Sequence, residues 1–381
     1  MQQKIYKMKF CIVLSTRPEI IKLSPLIKKF KINKNKYYLI NTNQHSLNKM
    51  SKVFFDLFKI SGKIYNIHPS KKSQVSFFSD SIKSIAKILK NNRPNFLIVQ
   101  GDTNTGLAGC MAASMVNRNL EHKDKIKIVH IESGLRSFDN TMPEEINRKL
   151  IDHMSDILFP PTEYDLKNLQ EDNYVKYKKT FVVGNTITDV LKEYLPFANQ
   201  SKILEKLQLI KKKYFLVTLH RPESVDIKKN LTSLLKTLKA LHKKYNYPII
   251  FPIHPRTKNN MKKLKLSFDK NIKIIEPLEY LEFLKLMKDS KLILSDSGGI
   301  QEEASILGVP CVTLRTTTER QITLLRNVNI IAGYDQKKIL KAVIKFHNKK
   351  IKKIKDFGNG NVTNKIYNKL ININKSKIAK I

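Results

Sequence analysis

Along the first half of the chain, short apolar runs alternate with segments of helical period. KFCIVLS is followed by IIKLSPLIKKF, YYLINT by LNKMSKVFFDLFKI, FLIVQGD by TGLAGCMAASMV and IKIVHIE by EEINRKLIDHM. A short apolar run that gives way to a 3.6-residue period reads as a strand feeding a crossover helix, so the pattern predicts a parallel sheet covered by helices. ILFPPT and TFVVGNT predict two further strands. A Lys-rich stretch near residues 195 to 212 interrupts the rhythm, which restarts with YFLVTLH, YPIIFPIH, IKIIEPL, KLILSDSGG, PCVTLRT and VNIIAG. The expected fold class is α/β, with two Rossmann-like doubly wound domains spanning residues 1–190 and 191–350. Residues 351–381, rich in Lys, Ile and Asn, are expected to form a helix packing back towards the first domain.

In open parallel sheets, ligands lie outside the carboxyl ends of the strands. The residues that follow the apolar runs are STRPE, NQH, GDTNT, HIESGLRS, LHRPES, IHPRT, SDSGG and RTTTER. Ordinary loop polarity supplies Ser, Asn, Gly and Lys, whereas these stretches carry His, Arg, Asp and Glu.

Composition narrows the possibilities. A chain of 381 residues with 41% hydrophobic residues can bury two cores. No apolar stretch is long enough to span a membrane and the first residues lack a signal-peptide pattern, so a cytoplasmic protein without a membrane partner is expected. Cys11, Cys110 and Cys311 sit in apolar runs without metal-type spacing and read as buried, reduced thiols. The formal net charge is +39, but Lys is spread evenly among Asn and Ile. That pattern is composition bias, and nucleic acid is not an expected partner. Arg makes up only ten of the 71 basic residues, and Arg17, Arg136, Arg148, Arg221, Arg256, Arg315 and Arg320 all fall in the polar loops. Where Lys is the default cation, a retained Arg marks a place for a planar two-pronged donor, and so for anionic groups.

Three constellations carry candidate chemistry. In SDSGGIQEEASILG, a strand runs through Ser297, Gly298 and Gly299 into a helix, which presents free backbone N–H groups beside two residues with no side chain. That outlines a diphosphate cradle, though a tight strand-to-helix turn has the same sequence. Glu303, one turn into the helix, suits a ribose diol, and Arg320 a phosphate fork. Asp102, Glu132 and Glu144 follow different strands, and carboxylates gathered at one point imply a metal or proton transfer. Without His or Cys ligand spacing, proton transfer is the stronger reading, although an all-oxygen Mg²⁺ site has no sequence signature to exclude it. Glu145, in TMPEEINR, suits a helix start. Arg17 and Lys22, near the positive end of a helix opened by Pro18, favour a bound anion. His220 and His254 end strands of the second domain beside Arg221 and Arg256, and Phe283 completes the binding candidates.

Together STRPEIIKLSPLI, NQH, GDTNT, HIESGLRS, MPEEINR, LHRPES and DSGGIQEEASILGVPCVTLRTTTER resemble the non-hydrolysing UDP-N-acetylglucosamine 2-epimerases over nearly all of the first 335 residues. The resemblance implies a glycosyltransferase-B-like arrangement with the active site in the inter-domain cleft, a UDP-sugar substrate, a homodimer, and neither metal nor nicotinamide cofactor. It also implies anti elimination of UDP to a 2-acetamidoglucal followed by re-addition, in the supply of cell-surface polysaccharide sugars. In that reaction Asp102, Glu132 and Glu144 are the acid/base set. Arg17, Lys22, His220 and Arg320 steady the diphosphate, with His220 also counted as catalytic. Ser297, Gly298 and Gly299 cradle it, Glu303 holds the ribose, and Arg136, His254 and Phe283 are further substrate contacts. NQHSLNKMSKVFF departs from bacterial members in which this region binds an activating UDP-GlcNAc. A modified substrate such as UDP-2,3-diacetamido-2,3-dideoxyglucuronate is the alternative, and a glycosyltransferase of the same shape is the rival from another class.

Overall fold

The computed structural model describes residues 8–43, 48–121, 124–349 and 351–378. Gln44 and His45 of the second-strand motif lie outside them. The chain divides into one compact unit of Met1–Val190 with Asp356–Ile381 and a second of Leu191–Lys355.

In the first unit the strands are β1 (Lys9–Leu14), β2 (Lys36–Asn41), β3 (Lys63–Asn66), β4 (Phe96–Gln100), β5 (Lys127–Ile131), β6 (Ile157–Phe159) and β7 (Lys179–Thr180). They form one parallel sheet in the order β3-β2-β1-β4-β5-β6-β7. β1, β4 and β5 are mostly apolar and, after the first residue of β1 and of β5, buried on both faces, as a helix-covered parallel sheet requires. Val13, Leu97, Val99 and Ile128 meet Ala108, Ala112 and Ala113 of the helix Asn104–Asn117, whose small residues let it lie close to the sheet.

Two edges depart from the pattern read in the sequence. The half-exposed KIYN adds β3, which the apolar runs did not mark. Only Lys179–Thr180 of the TFVVGNT region pairs as a strand; the chain continues beside β6, with Phe181 N–H donating to Leu158, and turns at Gly184 with φ +102. A Cβ on Gly184 would stand 2.5 Å from the Phe357 carbonyl oxygen, so the tail packs where a side chain would be. The helix Val362–Ile378 then buries Val362, Ile366 and Leu370 in this unit, and the Tyr367 hydroxyl donates to Asn35 at 3.0 Å.

The second unit has β8 (Phe215–Thr218), β9 (Ile249–Pro252), β10 (Ile272–Ile275), β11 (Leu292–Ser295), β12 (Cys311–Thr313) and β13 (Asn329–Ile331). They are parallel in the order β10-β9-β8-β11-β12-β13. Phe215, Val217, Phe251, Leu292 and Leu294 pack with Leu231, Leu234 and Leu238 of the helix Lys228–Tyr245. In each unit the strand order reverses direction once, between β1 and β4 and between β8 and β11. Those are the topological switch points where open α/β sheets bind ligands.

Candidate active site

Arg17 and Lys22 follow β1, and Asp102 follows β4, so they flank the first unit's switch point; Glu132 follows β5 next to it. The helix Arg17–Ile32 begins with a capping box between Thr16 and Glu19. Glu19 is buried and accepts from Ser15 N–H at 3.0 Å, Thr16 N–H at 2.7 Å and the Thr103 hydroxyl at 2.8 Å, which ties the β1 loop to the β4 loop. Burial outweighs these donors and raises the Glu19 carboxyl above its usual range.

Glu132 is also buried, with its backbone at φ +67, a conformation uncommon for a residue other than glycine. Its carboxylate accepts from Lys22 Nζ and Gln100 Nε2 in very short contacts and from Asn185 Nδ2 at 2.5 Å. The anion opposite Lys22 is therefore a carboxylate of the chain itself. Arg17 is half-buried over the Phe54 ring, 5.5 Å from its centre, and burial lowers its guanidinium from the ordinary value.

The helix Pro143–Met154 explains the crowding in MPEEINR. Glu145 is fully buried and accepts from the backbone N–H and hydroxyl of Ser137, both at 2.8 Å, and from Arg148. Arg148 reaches on to the Asp102 carboxylate, and Asn147 donates to the Asp102 carbonyl at 3.0 Å. Asp102 keeps 29% of its side chain exposed, and Glu144 is half-buried in the first turn of the helix. Arg136 stands apart from this group. Its guanidinium meets Asp152 at 2.7 Å and Asp172 at 2.8 Å and donates to the Leu135 carbonyl, so its fork is taken up inside the unit.

At the second unit's switch point, His220 follows β8 and Ser297 follows β11. Asp296, which sequence reading passed over as part of a turn, organises both. Its buried carboxylate accepts from the His220 and Arg221 backbone N–H groups at 2.9 Å each and lies 3.1 Å from His220 Nδ1. Burial pushes the Asp296 carboxyl up, but His220 and the two N–H donors prevail and hold it below its usual range. His254 is exposed and caps the helix Pro255–Lys263, accepting from Arg256 N–H, with its ring centre 5.5 Å from that of His220.

The helix Gly298–Leu307 starts directly after Ser297. Its first-turn N–H groups have no carbonyl one turn earlier to bind, which makes this an anion-binding end. The two glycines differ. A Cβ on Gly299 would meet nothing within 4 Å, whereas one on Gly298 would stand 2.3 Å from Glu319 Oε1. Gly298 is thus explained by the packing of Glu319, and Gly299 leaves open space beside the helix end. Arg320 lies between carboxylates, 2.5 Å from Glu302 and 3.6 Å from Glu319. Glu303 accepts from the buried Tyr280 hydroxyl at 2.9 Å, and burial followed by the Glu303 charge raises that phenol. Phe283 is half-buried on the same helix as Tyr280, Tyr280–Asp289.

The sequence model of the UDP-N-acetylglucosamine 2-epimerase family matches residues 28–371. The chain belongs to that family. It is 44% identical over 360 residues to the UDP-N-acetylglucosamine 2-epimerase of Methanocaldococcus jannaschii, covering 93% of this chain and 96% of that one. The Methanococcus maripaludis enzyme of the same name is 45% identical over 360 residues, covering 93% and 95%. The crystal structure of the Methanocaldococcus jannaschii epimerase in complex with UDP-GlcNAc and UDP superposes with a TM-score of 0.87 at 43% identity, over 96% of this chain and 99% of that one. The family's enzymes are isomerases, which places the chain among enzymes acting on a UDP-sugar. Among the described residues of this epimerase family member, no helix is long and apolar enough to cross a membrane, and no cluster of His, Cys, Asp and Glu forms a metal-type site.

Gln100, Asn185, Asp296 and Tyr280, which contact the candidate residues Glu132, His220 and Glu303, were missed by sequence reading. Gln100 adjoins the GDTNT motif and was within reach. Asn185 reaches Glu132 from 53 positions away, and nothing local announces that meeting.

Proposed function

We propose that this chain interconverts UDP-GlcNAc and UDP-ManNAc without hydrolysis, by elimination and re-addition of UDP. One observation carries the reading: Asp102 and Glu132 stand on neighbouring strand ends of the first unit, each held by a cation of the chain. In the forward direction a carboxylate takes the C2 proton while the C1–O bond breaks, leaving 2-acetamidoglucal and UDP. Return of UDP to C1 and of a proton to the opposite face of C2 then gives the epimer. The three donors on Glu132 favour its charged form, which suits a group that accepts a proton. Asp102 and Glu144 are the partners that complete the exchange, and His220, Arg17 and Arg320 balance charge developing on the diphosphate. In the second unit, Ser297, Gly298 and Gly299 with their helix end receive the diphosphate and Glu303 the ribose. Identity of 44–45% over almost the whole chain to enzymes named for UDP-N-acetylglucosamine supports that substrate over a modified sugar. A homodimer, a cytoplasmic location and a role in supplying cell-surface polysaccharide belong to the same proposal and rest on the family resemblance.

Incubation with UDP-GlcNAc in D₂O, followed by proton NMR, tests the reaction. Loss of the C2 proton signal together with a new UDP-ManNAc anomeric signal is expected. Asp102→Asn and Glu132→Gln should each abolish turnover while UDP still binds, and near-normal rates in both would sink the acid/base assignment. Silence from the parent enzyme, with UDP bound, would transfer the chemistry to UDP-2,3-diacetamido-2,3-dideoxyglucuronate and its relatives.

A further inference from the structure

His130 belongs to the HIESGLRS motif but has no part in the proton transfers above. It is fully buried at the end of β5, and each ring nitrogen faces one partner: Nδ1 stands 2.7 Å from Asp152 Oδ1, and Nε2 stands 2.8 Å from the Gly101 carbonyl oxygen. A carbonyl oxygen only accepts, so Nε2 carries a proton. Asp152 is ringed by donors, with Arg136 Nη1 2.7 Å from Oδ2 and the Gly134 N–H 3.2 Å from the same oxygen. Burial pushes the Asp152 carboxyl up, but His130 and Arg136 outweigh it and hold the group below its usual range.

We propose that His130 and Asp152 are the positioning pair that sets the Asp102 and Glu132 turns for catalysis. The pair grips both turns by their backbones. Nε2 holds the Gly101 carbonyl, directly before Asp102, and Asp152 holds the Gly134 N–H, two residues after Glu132. Gly101, Glu132 and Gly134 all have positive φ, at +71°, +67° and +78°. Such backbones persist where the surroundings over-determine them, and a non-glycine residue at +67° needs that support most. Asp172 balances Arg136, Lys178 Nζ donates to the Asp152 carbonyl at 2.8 Å, and burial pushes the neighbouring Cys110 thiol up so that it stays neutral.

This inference rests on Asp102 and Glu132 being the proton-transfer groups. Protein labelled with ¹⁵N-histidine, with His130→Gln to identify the resonance, is expected to show the proton on His130 Nε2 that the Gly101 carbonyl accepts. A bare Nε2 would overturn the proposal. Asp152→Asn, nearly isosteric but uncharged, should lower kcat by about 10- to 100-fold with KM and UDP affinity nearly unchanged, because the turns shift while the β1 loop that carries Arg17 and the helix end at Gly298 are untouched. If that variant does not fold, the parent spectrum and the kinetics of His130→Gln decide the question. Retention of parental kcat by whichever of these variants fold would also overturn the proposal. A parent protein with the proton on His130 Nε2 but no UDP-sugar turnover would leave the backbone contact in place and remove the reaction it was to serve.

Discussion

Asp296 and Glu132 show how single carboxylates are committed by their neighbours. Asp296 spends its charge on two backbone N–H groups and on His220, so it orients the imidazole that ends β8. Its folded-state pKa lies below the ordinary aspartate value of about 3.9, so its contribution to stability is fully present above that pH and is lost as the pH falls below it. Asp296→Asn should therefore be less stable than the parent at pH 7, by about 1–3 kcal/mol, and should show a shallower loss below about pH 4. Urea unfolding at pH 7 and pH 3 reads this directly, and parallel pH slopes for the two proteins would remove the idea. At this scale the sequence exposed the residue types but not their commitments. Arg136 and Arg148 look alike in a list of loop arginines, yet one is spent on Asp152 and Asp172 while the other holds Asp102.

At the scale of elements, the helix beginning at Gly298 unites two requirements that a Ser-Gly-Gly string does not separate. Gly298 is needed by Glu319, which would lie 2.3 Å from an added Cβ, and the side chain of Glu319 is fixed by Arg315 at 3.0 Å. Gly298→Ala should lower stability by about 1–3 kcal/mol through that overpacking. Gly299→Ala should keep the parental melting temperature, because its surroundings are open, and should weaken UDP binding by filling that space. Thermal melts and calorimetric UDP titration separate the two, and equal behaviour of both variants would contradict the division. The helix Pro143–Met154 makes the same point about legibility. Pro at its start and two Glu in its first turn announce a helix, but only packing determines that Glu145 and Arg148 brace the loops carrying Ser137 and Asp102.

Over the whole molecule, the chain leaves the first unit at Val190 and returns to it at Asp356. The tail helix, though rich in Lys and Asn, places Val362, Ile366 and Leu370 in the core and its Thr363 N–H donates to Asp189 at 3.1 Å. Removal of residues 362–381 should destabilise the first unit by several kcal/mol, since each buried aliphatic side chain is worth about 1.5–3 kcal/mol. Denaturant unfolding of the truncated chain checks this, and an unchanged midpoint would show the tail to be dispensable. The sequence by itself determined the alternation of strand and helix, the parallel sheets and the loops rich in His, Arg, Asp and Glu at the strand ends, because period and composition are local properties. The edge strand β3, the meeting of Asn185 and Lys22 at Glu132 and the Asp296 anchor of His220 were decided only by tertiary structure. Each depends on residues far apart in the chain whose pairing is set by strand order and close packing, which leave no periodic trace.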